Sequence, residues 1–242
     1  MKNEEKSMDA VAEIAYRLDD RFTFIDWEKS YNNEELAEVC DKLRDKPSRY
    51  GDQNVLTVER DKYGKLVPRI ADDELSGNII MALFVQLFNW NLRLPDEEKV
   101  YLHLTRSLCG FNNGEIRLPY TAVSLVFPTA EQKYNSLFVP LRSPDFVVEI
   151  CRHSNRNELV RKIKESYLVE GTNTAVVLLI CWTLSGNEII VELEFYVCNI
   201  DEPVLGPIWR DWRAEEIPEL AKIIPGFSFD CQLVMDRFQR RR

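Results

Sequence analysis

The chain of 242 residues has only two histidines, His103 and His153, and no two cysteines spaced C-x-x-C. A histidine-rich metal centre therefore lacks ligands, and a structural zinc site has no paired thiols to build on. The six cysteines (Cys40, Cys109, Cys151, Cys181, Cys198, Cys231) are scattered, several of them inside apolar runs. That pattern points to buried free thiols in a reducing, intracellular compartment, cytoplasmic or nuclear. No apolar run approaches about 18 residues, so no membrane span is expected. The opening MKNEEKSMDA is polar and acidic, without the apolar stretch of a secretory signal. Positive charge is also short: 31 Lys and Arg stand against 40 Asp and Glu, a net charge of -9. This argues against broad, sequence-independent nucleic-acid binding, although a local basic groove is compatible with it. No internal repeat or low-complexity linker interrupts the sequence.

With 45% hydrophobic and 29% charged residues, the composition is that of a soluble globular protein, and the length suits one large domain or a domain with a helical extension. Residues 8–19 carry Ala10, Val11, Ile14, Ala15 and Leu18 at helical spacing, a short amphipathic helix. Phe22 to Trp27 is aromatic-rich, a small strand or a docking segment. A second helix starts at Asn33 as N-cap, with Glu34 and Glu35 in its first turn and Pro47 ending it. Val55–Glu59 and Leu66–Pro68 flank the turn Asp61-Lys62-Tyr63-Gly64-Lys65 and read as a hairpin. A long helix from Ser76 to about Asn91 shows a broad apolar face of Ile79, Ile80, Leu83, Phe84, Leu87 and Phe88.

Strands are expected at Val100–Leu104, Glu115–Leu118 and Thr121–Val126, with a turn at Phe111-Asn112-Asn113-Gly114. SPDFVVEI (143–150) is an apolar strand with one carboxylate, Glu149, inside it. A helix over Glu158–Glu170 follows and stops at Gly171. Ala175–Thr183 is a strand buried on both faces, and Glu188–Tyr196 is its hairpin partner after Ser185-Gly186-Asn187. A last helix is expected around Glu215 to Ile224. The order of elements gives an α/β or α+β domain around one mixed sheet with helices on its faces.

A carboxylate on a buried strand needs a metal ion or a lysine beside it. Glu149 is therefore either a metal ligand or a buried carboxylate paired with Lys162. Lys162 itself is either an active-site lysine or part of a solvated basic face with Arg161 and Lys164. Asp145 shares strand parity with Glu149 but lies about 13 Å away, so it bonds local backbone or caps a turn. Ser154 reads as a helix cap. Arg152, His153, Arg156 and Arg161 make this segment locally basic, either a phosphate-facing patch or a plain surface. The tail Arg237-Phe238-Gln239-Arg240-Arg241-Arg242 is a solvated basic cluster. Trp209 and Trp212 read as a hydrophobic clasp.

From Asn33 on, the order of VLTVERDKYGKL, SGNIIMALFVQLFNWN, GFNNGEIRLPYTAVSLV, SPDFVVEI with Ser154, Lys162, Tyr167 and Gly171, VELEFY and IPGFSFD resembles the Uma2 (DUF820) restriction-endonuclease family of the PD-(D/E)xK nuclease superfamily. The resemblance implies a restriction-endonuclease-like mixed sheet flanked by helices over 33–242, preceded by a small helical extension over 1–32. It implies a metal-dependent DNA endonuclease, with Mg²⁺ or Mn²⁺ held by acidic residues on adjacent strands and a lysine that positions or polarises water. It places Glu149, Lys162 and Glu59 at the catalytic centre, with Glu149 and Glu74 toward the metal. Arg152 and Arg161 are the candidate phosphate contacts.

Two positions depart from the family. Tyr120 stands where the resemblance puts the principal metal-binding aspartate. Leu75 stands where it puts an acidic residue or histidine, with Glu74 one residue away. The alternative is an inactive relative that serves as a nucleic-acid-binding or protein-interaction module. DNA is the expected partner, and a homodimer is a further expectation.

Overall fold

The structure is a computed structural model that describes residues 25–44, 57–69, 74–103, 109–111, 114–117, 119–129, 141–185 and 188–234. The helix expected over 8–19, the basic tail, Pro47, Val55, Leu56, Leu104, Leu118, and the turn residues Asn112, Asn113, Gly186 and Asn187 lie outside the described residues.

Helix α1 (Asn33–Arg44) is capped by Asn32, one residue earlier than expected. Asn32 Oδ1 accepts from the Glu35 amide at 2.9 Å, and Glu35 Oε2 accepts from the Asn32 amide at 2.9 Å. This reciprocal pair satisfies two amides that the first helical turn leaves open. Strands β1 (Thr57–Arg60) and β2 (Leu66–Arg69) form the expected hairpin. Asp61 Oδ1 accepts from the amides of Tyr63 and Lys65, and Gly64 takes φ +81°, which only glycine adopts without strain. Ile25 and Tyr31, counted with the N-terminal extension by sequence, pack with α1 and the hairpin around Val58, Leu66 and Ile116.

Helix α2 (Glu74–Leu92) is followed by β3 (Tyr101–His103), β4 (Cys109–Gly110), β5 (Ile116–Arg117), β6 (Thr121–Ser124), β7 (Leu141–Arg142) and β8 (Phe146–Arg152). Helix α3 (Arg156–Lys162) continues into a π-helical turn, Ile163–Tyr167. Gly171, at φ +86°, lies just past the end of this helical segment. The chain then forms β9 (Val176–Ser185), β10 (Glu188–Val197), β11 (Leu205–Ile208), β12 (Trp212–Arg213), α4 (Pro218–Ala221) and β13 (Ser228–Phe229).

The domain is mixed α/β, but its strands do not form one sheet. Six strands in the order β11-β10-β9-β8-β6-β3 make the main sheet, parallel only between β8 and β9. Five short strands, β2-β1-β5-β4-β7, make a second sheet, and β12-β13 a third. The two-residue strands β4, β5 and β7 are too short to show a period in sequence.

Alternation along β8 and β9 splits the core. Phe146, Val148, Ile150, Val176, Leu178, Ile180 and Trp182 face a cluster that includes α2 and the C-terminal segment. Val147, Val177, Leu179 and Cys181 face a cluster with Ile163 and Tyr167. Trp212 is the clasp expected of it: its ring meets Phe195 edge-on at 4.8 Å and stacks on Phe229 at 5.6 Å. None of the six cysteines is in a disulfide, and Cys151 and Cys181 lie side by side in register with sulfurs 3.6 Å apart.

Leu75–Leu92 is long and apolar enough, by length and composition, to cross a membrane. Interspersed Ser, Gly, Asn and Gln hide this in a search for unbroken apolar runs. Here Ile79, Ile80, Ala82, Leu83, Leu87 and Trp90 pack that helix into the core.

Candidate active site

Strand alternation brings the small sheet's charges to the main sheet. Val58 and Ile116 enter the apolar cluster on one face of the small sheet. Glu59 and Arg117 have the opposite parity and turn away from it. On β8, Glu149 likewise has the parity of Val147 and Cys151, whose face is covered by α3 and its π turn. The three meet at α3. Lys162 Nζ donates to Glu59 Oε1 at 3.0 Å and to Glu149 Oε1 at 3.2 Å. Tyr167 Oη also donates to Glu149 Oε1.

The π turn makes the last contact possible. Its hydrogen bond from the Leu168 amide to Ile163 O spans five residues rather than four. Residues five apart then approach one face, and Lys162 and Tyr167 reach the same oxygen. The helix expected over Glu158–Glu170 could not show this, because a π turn has no composition of its own.

Arg117, which sequence reasoning missed, extends the cluster. It pairs with Glu59 Oε2 at 3.2 Å and Glu115 Oε1 at 3.3 Å and donates to Ser166 Oγ at 3.0 Å. Burial opposes its charge, but Glu59, Glu115 and Tyr167 outweigh that and hold the guanidinium above its ordinary pKa. The one available signal was the alternation Glu115-Ile116-Arg117, which puts both charges on one side. The chain of contacts runs Glu115, Arg117, Glu59, Lys162, Glu149. Three carboxylates face two cations, and Glu115 Oε2 is buried with no partner among the described residues.

Tyr120 is half-buried against the larger core cluster. The ladder Thr121↔Val148, continued by one residue, would set position 120 opposite Glu149. Leu75 also packs on the larger cluster, and Glu74 opens α2, its side chain lying outside the described residues. Arg152 lies over the Trp182 ring at 5.0 Å, while Arg161 is exposed on α3.

The basic segment is largely neutralised. Arg156 pairs with Glu194 at 2.9 Å and Lys164 with Asp201 at 3.5 Å. Ser154 does not cap α3: its hydroxyl bonds Asn155 Oδ1 in a 3-10 turn, and Asn155 is the N-cap. Asp145 accepts from the amide of Leu125, 20 residues away, rather than from a local turn.

Among the described residues, no group of three or more His, Cys, Asp or Glu is arranged to hold a metal ion. A resident ion with protein ligands all round therefore does not fit. Glu59 and Glu149 face each other across the Lys162 ammonium, which bonds both. Compared with known proteins, the chain matches no family model and no curated protein.

Tyr167→Phe removes one donor to a fully buried carboxylate and should cost about 1–3 kcal/mol in urea unfolding. A loss below about 0.5 kcal/mol would show that Glu149 is satisfied without this hydroxyl.

Proposed function

We propose that the chain is a restriction-endonuclease-like domain of the Uma2 type, and that its centre is that of a metal-dependent DNA endonuclease with one ligand replaced. The observation that carries this reading is the meeting of Glu59, Glu149 and Lys162. The resemblance singled out these three, and Lys162 lies 103 residues from one partner and 13 from the other. Glu59 and Glu149 would hold magnesium or manganese, and the ion would offset the charge that grows on phosphodiester oxygens during hydrolysis. Lys162 keeps the two carboxylates together. When phosphate enters, its ammonium is placed to bond an anionic oxygen or an attacking water.

A second reading, an inactive relative that binds without cutting, is favoured by Tyr120. A phenol packed against the apolar core is no ligand for a hard cation.

Incubation of the purified chain with supercoiled plasmid and single-stranded DNA, in Mg²⁺ and then Mn²⁺, separates the two readings. The endonuclease reading expects nicking that falls at least about a hundredfold in Glu149→Gln and rises in Tyr120→Asp. No cleavage by the folded wild type or by Tyr120→Asp leaves the binding module as the function.

A further inference from the structure

β3 is the last strand of the six-stranded sheet, and β7 is the last of the five-stranded one. Side chains from both edges frame a cavity of about 70 Å³. His103 of β3 and Ser124 of β6 line it together with Leu141 and Arg142 of β7, and Val126 and Phe127, just past β6, complete the wall. A single water needs only about 10–15 Å³ by the same measure, so the space admits a small organic molecule.

The polar side of the cavity is a relay of hydrogen bonds. Cys109 Sγ lies 3.9 Å from His103 Nδ1, and His103 Nε2 lies 2.7 Å from Ser124 Oγ. Burial pushes the Cys109 thiol up to about 12, so it keeps its proton and donates it to Nδ1. Nε2 then carries the imidazole proton and donates it to Ser124 Oγ, a tautomer assigned from these partners. That leaves the Ser124 hydroxyl proton to donate into the cavity. Ser124 and His103 are 7% and 2% exposed, so this donor is held by the fold.

Charge comes from Arg142, whose side chain is 51% exposed. Asp145 lies 3.9 Å from the guanidinium, at the outer limit of an ion pair, and its other carboxylate oxygen takes the Leu125 amide at 2.8 Å. Among the described residues that line the cavity, Arg142 is the one Lys or Arg, and none is Asp or Glu. Tyr101 meets the His103 ring edge-on at 4.8 Å and the Phe127 ring at 5.9 Å, which fixes the aromatic wall beside the relay.

We propose that this cavity binds a small monocarboxylic acid. The Arg142 guanidinium takes the carboxylate, the Ser124 hydroxyl donates to one of its oxygens, and the hydrocarbon part lies against Val126 and Phe127. A mostly apolar lining with a few convergent polar groups is the form of a small-molecule site. One planar cation and one neutral donor match a single negative charge on a planar group, whereas a phosphate dianion calls for more cations. With a net charge of -9 the chain repels anions in general, so affinity has to come from these local groups. The inference does not depend on the nuclease reading.

The test is a titration of the full, ¹⁵N-labelled chain with sodium butyrate, from about 0.1 to about 20 mM at constant ionic strength. Amide resonances of Ser124, Val126, Phe127 and Arg142 should shift together and saturate, with a Kd on the order of 1 mM. Uncharged butyramide should bind at least about tenfold more weakly. Arg142→Gln and Ser124→Ala should each raise the butyrate Kd about fivefold or more, and Arg142→Lys, which keeps the charge but not the fork, should fall between wild type and Arg142→Gln. If Ser124→Ala does not fold, the two Arg142 variants, changed on an exposed side chain, carry the test. No saturable shift with butyrate, butyramide binding as tightly as butyrate, or a folded Arg142→Gln or Ser124→Ala chain with unchanged affinity would overturn the site. Inorganic phosphate that moves the same resonances at equal or lower concentration would overturn the carboxylic acid in favour of a general anion contact.

Discussion

Replacing Lys162 with methionine is expected to cost the fold about 3–5 kcal/mol, a loss read as a lower urea midpoint. The two carboxylates it joins are almost fully buried, at 5% and 1% side-chain exposure for Glu59 and Glu149, and the lysine side chain is 18% exposed. Solvent screening, which reduces exposed pairs to about 0–1 kcal/mol, has little access here. Methionine fills most of the space of the lysine stem but leaves two facing carboxylates without the ammonium between them. Burying charge unpaired costs far more than a pair contributes, so the penalty comes from what is left behind.

The partners make the argument specific. Glu59 keeps Arg117 after the change, whereas Glu149 loses the ammonium and keeps the Tyr167 hydroxyl. Glu149→Gln should therefore recover a large part of the loss when added to Lys162→Met, with a coupling of about 1–3 kcal/mol. Two independent losses that simply add would mean that the contact in the structure does not carry the energy. The same variants separate scaffold from chemistry. A double variant with near wild-type stability and no plasmid nicking would place these residues in the reaction. A wild type without activity would leave them as an internal tie between the two sheets.

This tie also marks how far the sequence could be read. The apolar run with one carboxylate identified β8 and Glu149, and the Asp-Lys-Tyr-Gly turn identified the hairpin that carries Glu59. Both signals are local: a period of two, and a turn that only certain residues make. Lys162 was legible only as a choice between a solvated face and a site, because helix periodicity does not say what a charged side chain meets.

Arg117 was not legible. It sits on a two-residue strand, and its partner Glu59 is 58 residues away. The small sheet escaped notice for the same reason, and the fold was expected to have one sheet. The cap at Asn32 was missed because Asn33 beside it has the same chemistry. Asp145 was expected to bond local backbone or cap a turn, but its carboxylate accepts from Leu125, just past β6 and 20 residues away. Local preference was read correctly in these cases, and the errors came from which remote group completed it.

Acid should destabilise the chain through His103, and His103→Gln should remove that part of the sensitivity. The ring lies on β3 at 2% exposure, with Nε2 2.7 Å from Ser124 Oγ, Nδ1 3.9 Å from Cys109 Sγ, and Tyr101 edge-on at 4.8 Å. These groups accept a neutral imidazole and offer no anion to an imidazolium. Burial lowers its pKa from 6.5 to about 4. Between those values the unfolded chain binds a proton that the folded chain refuses. Stability is full above pH 6.5, declines as pH falls toward 4, and levels off below, for a total of about 3 kcal/mol. The direction is that of a buried base kept neutral, the opposite of a histidine held charged by a carboxylate. Glutamine retains a donor and an acceptor for Ser124 and cannot gain a proton. Between pH 7.5 and 4.5, the wild type should lose about 2–3 kcal/mol more than the variant in urea unfolding. Comparing the two losses cancels the carboxylates, which titrate in both proteins. Equal losses would mean that the ring is protonated inside the fold, and the environment of β3 would then have to hold charge.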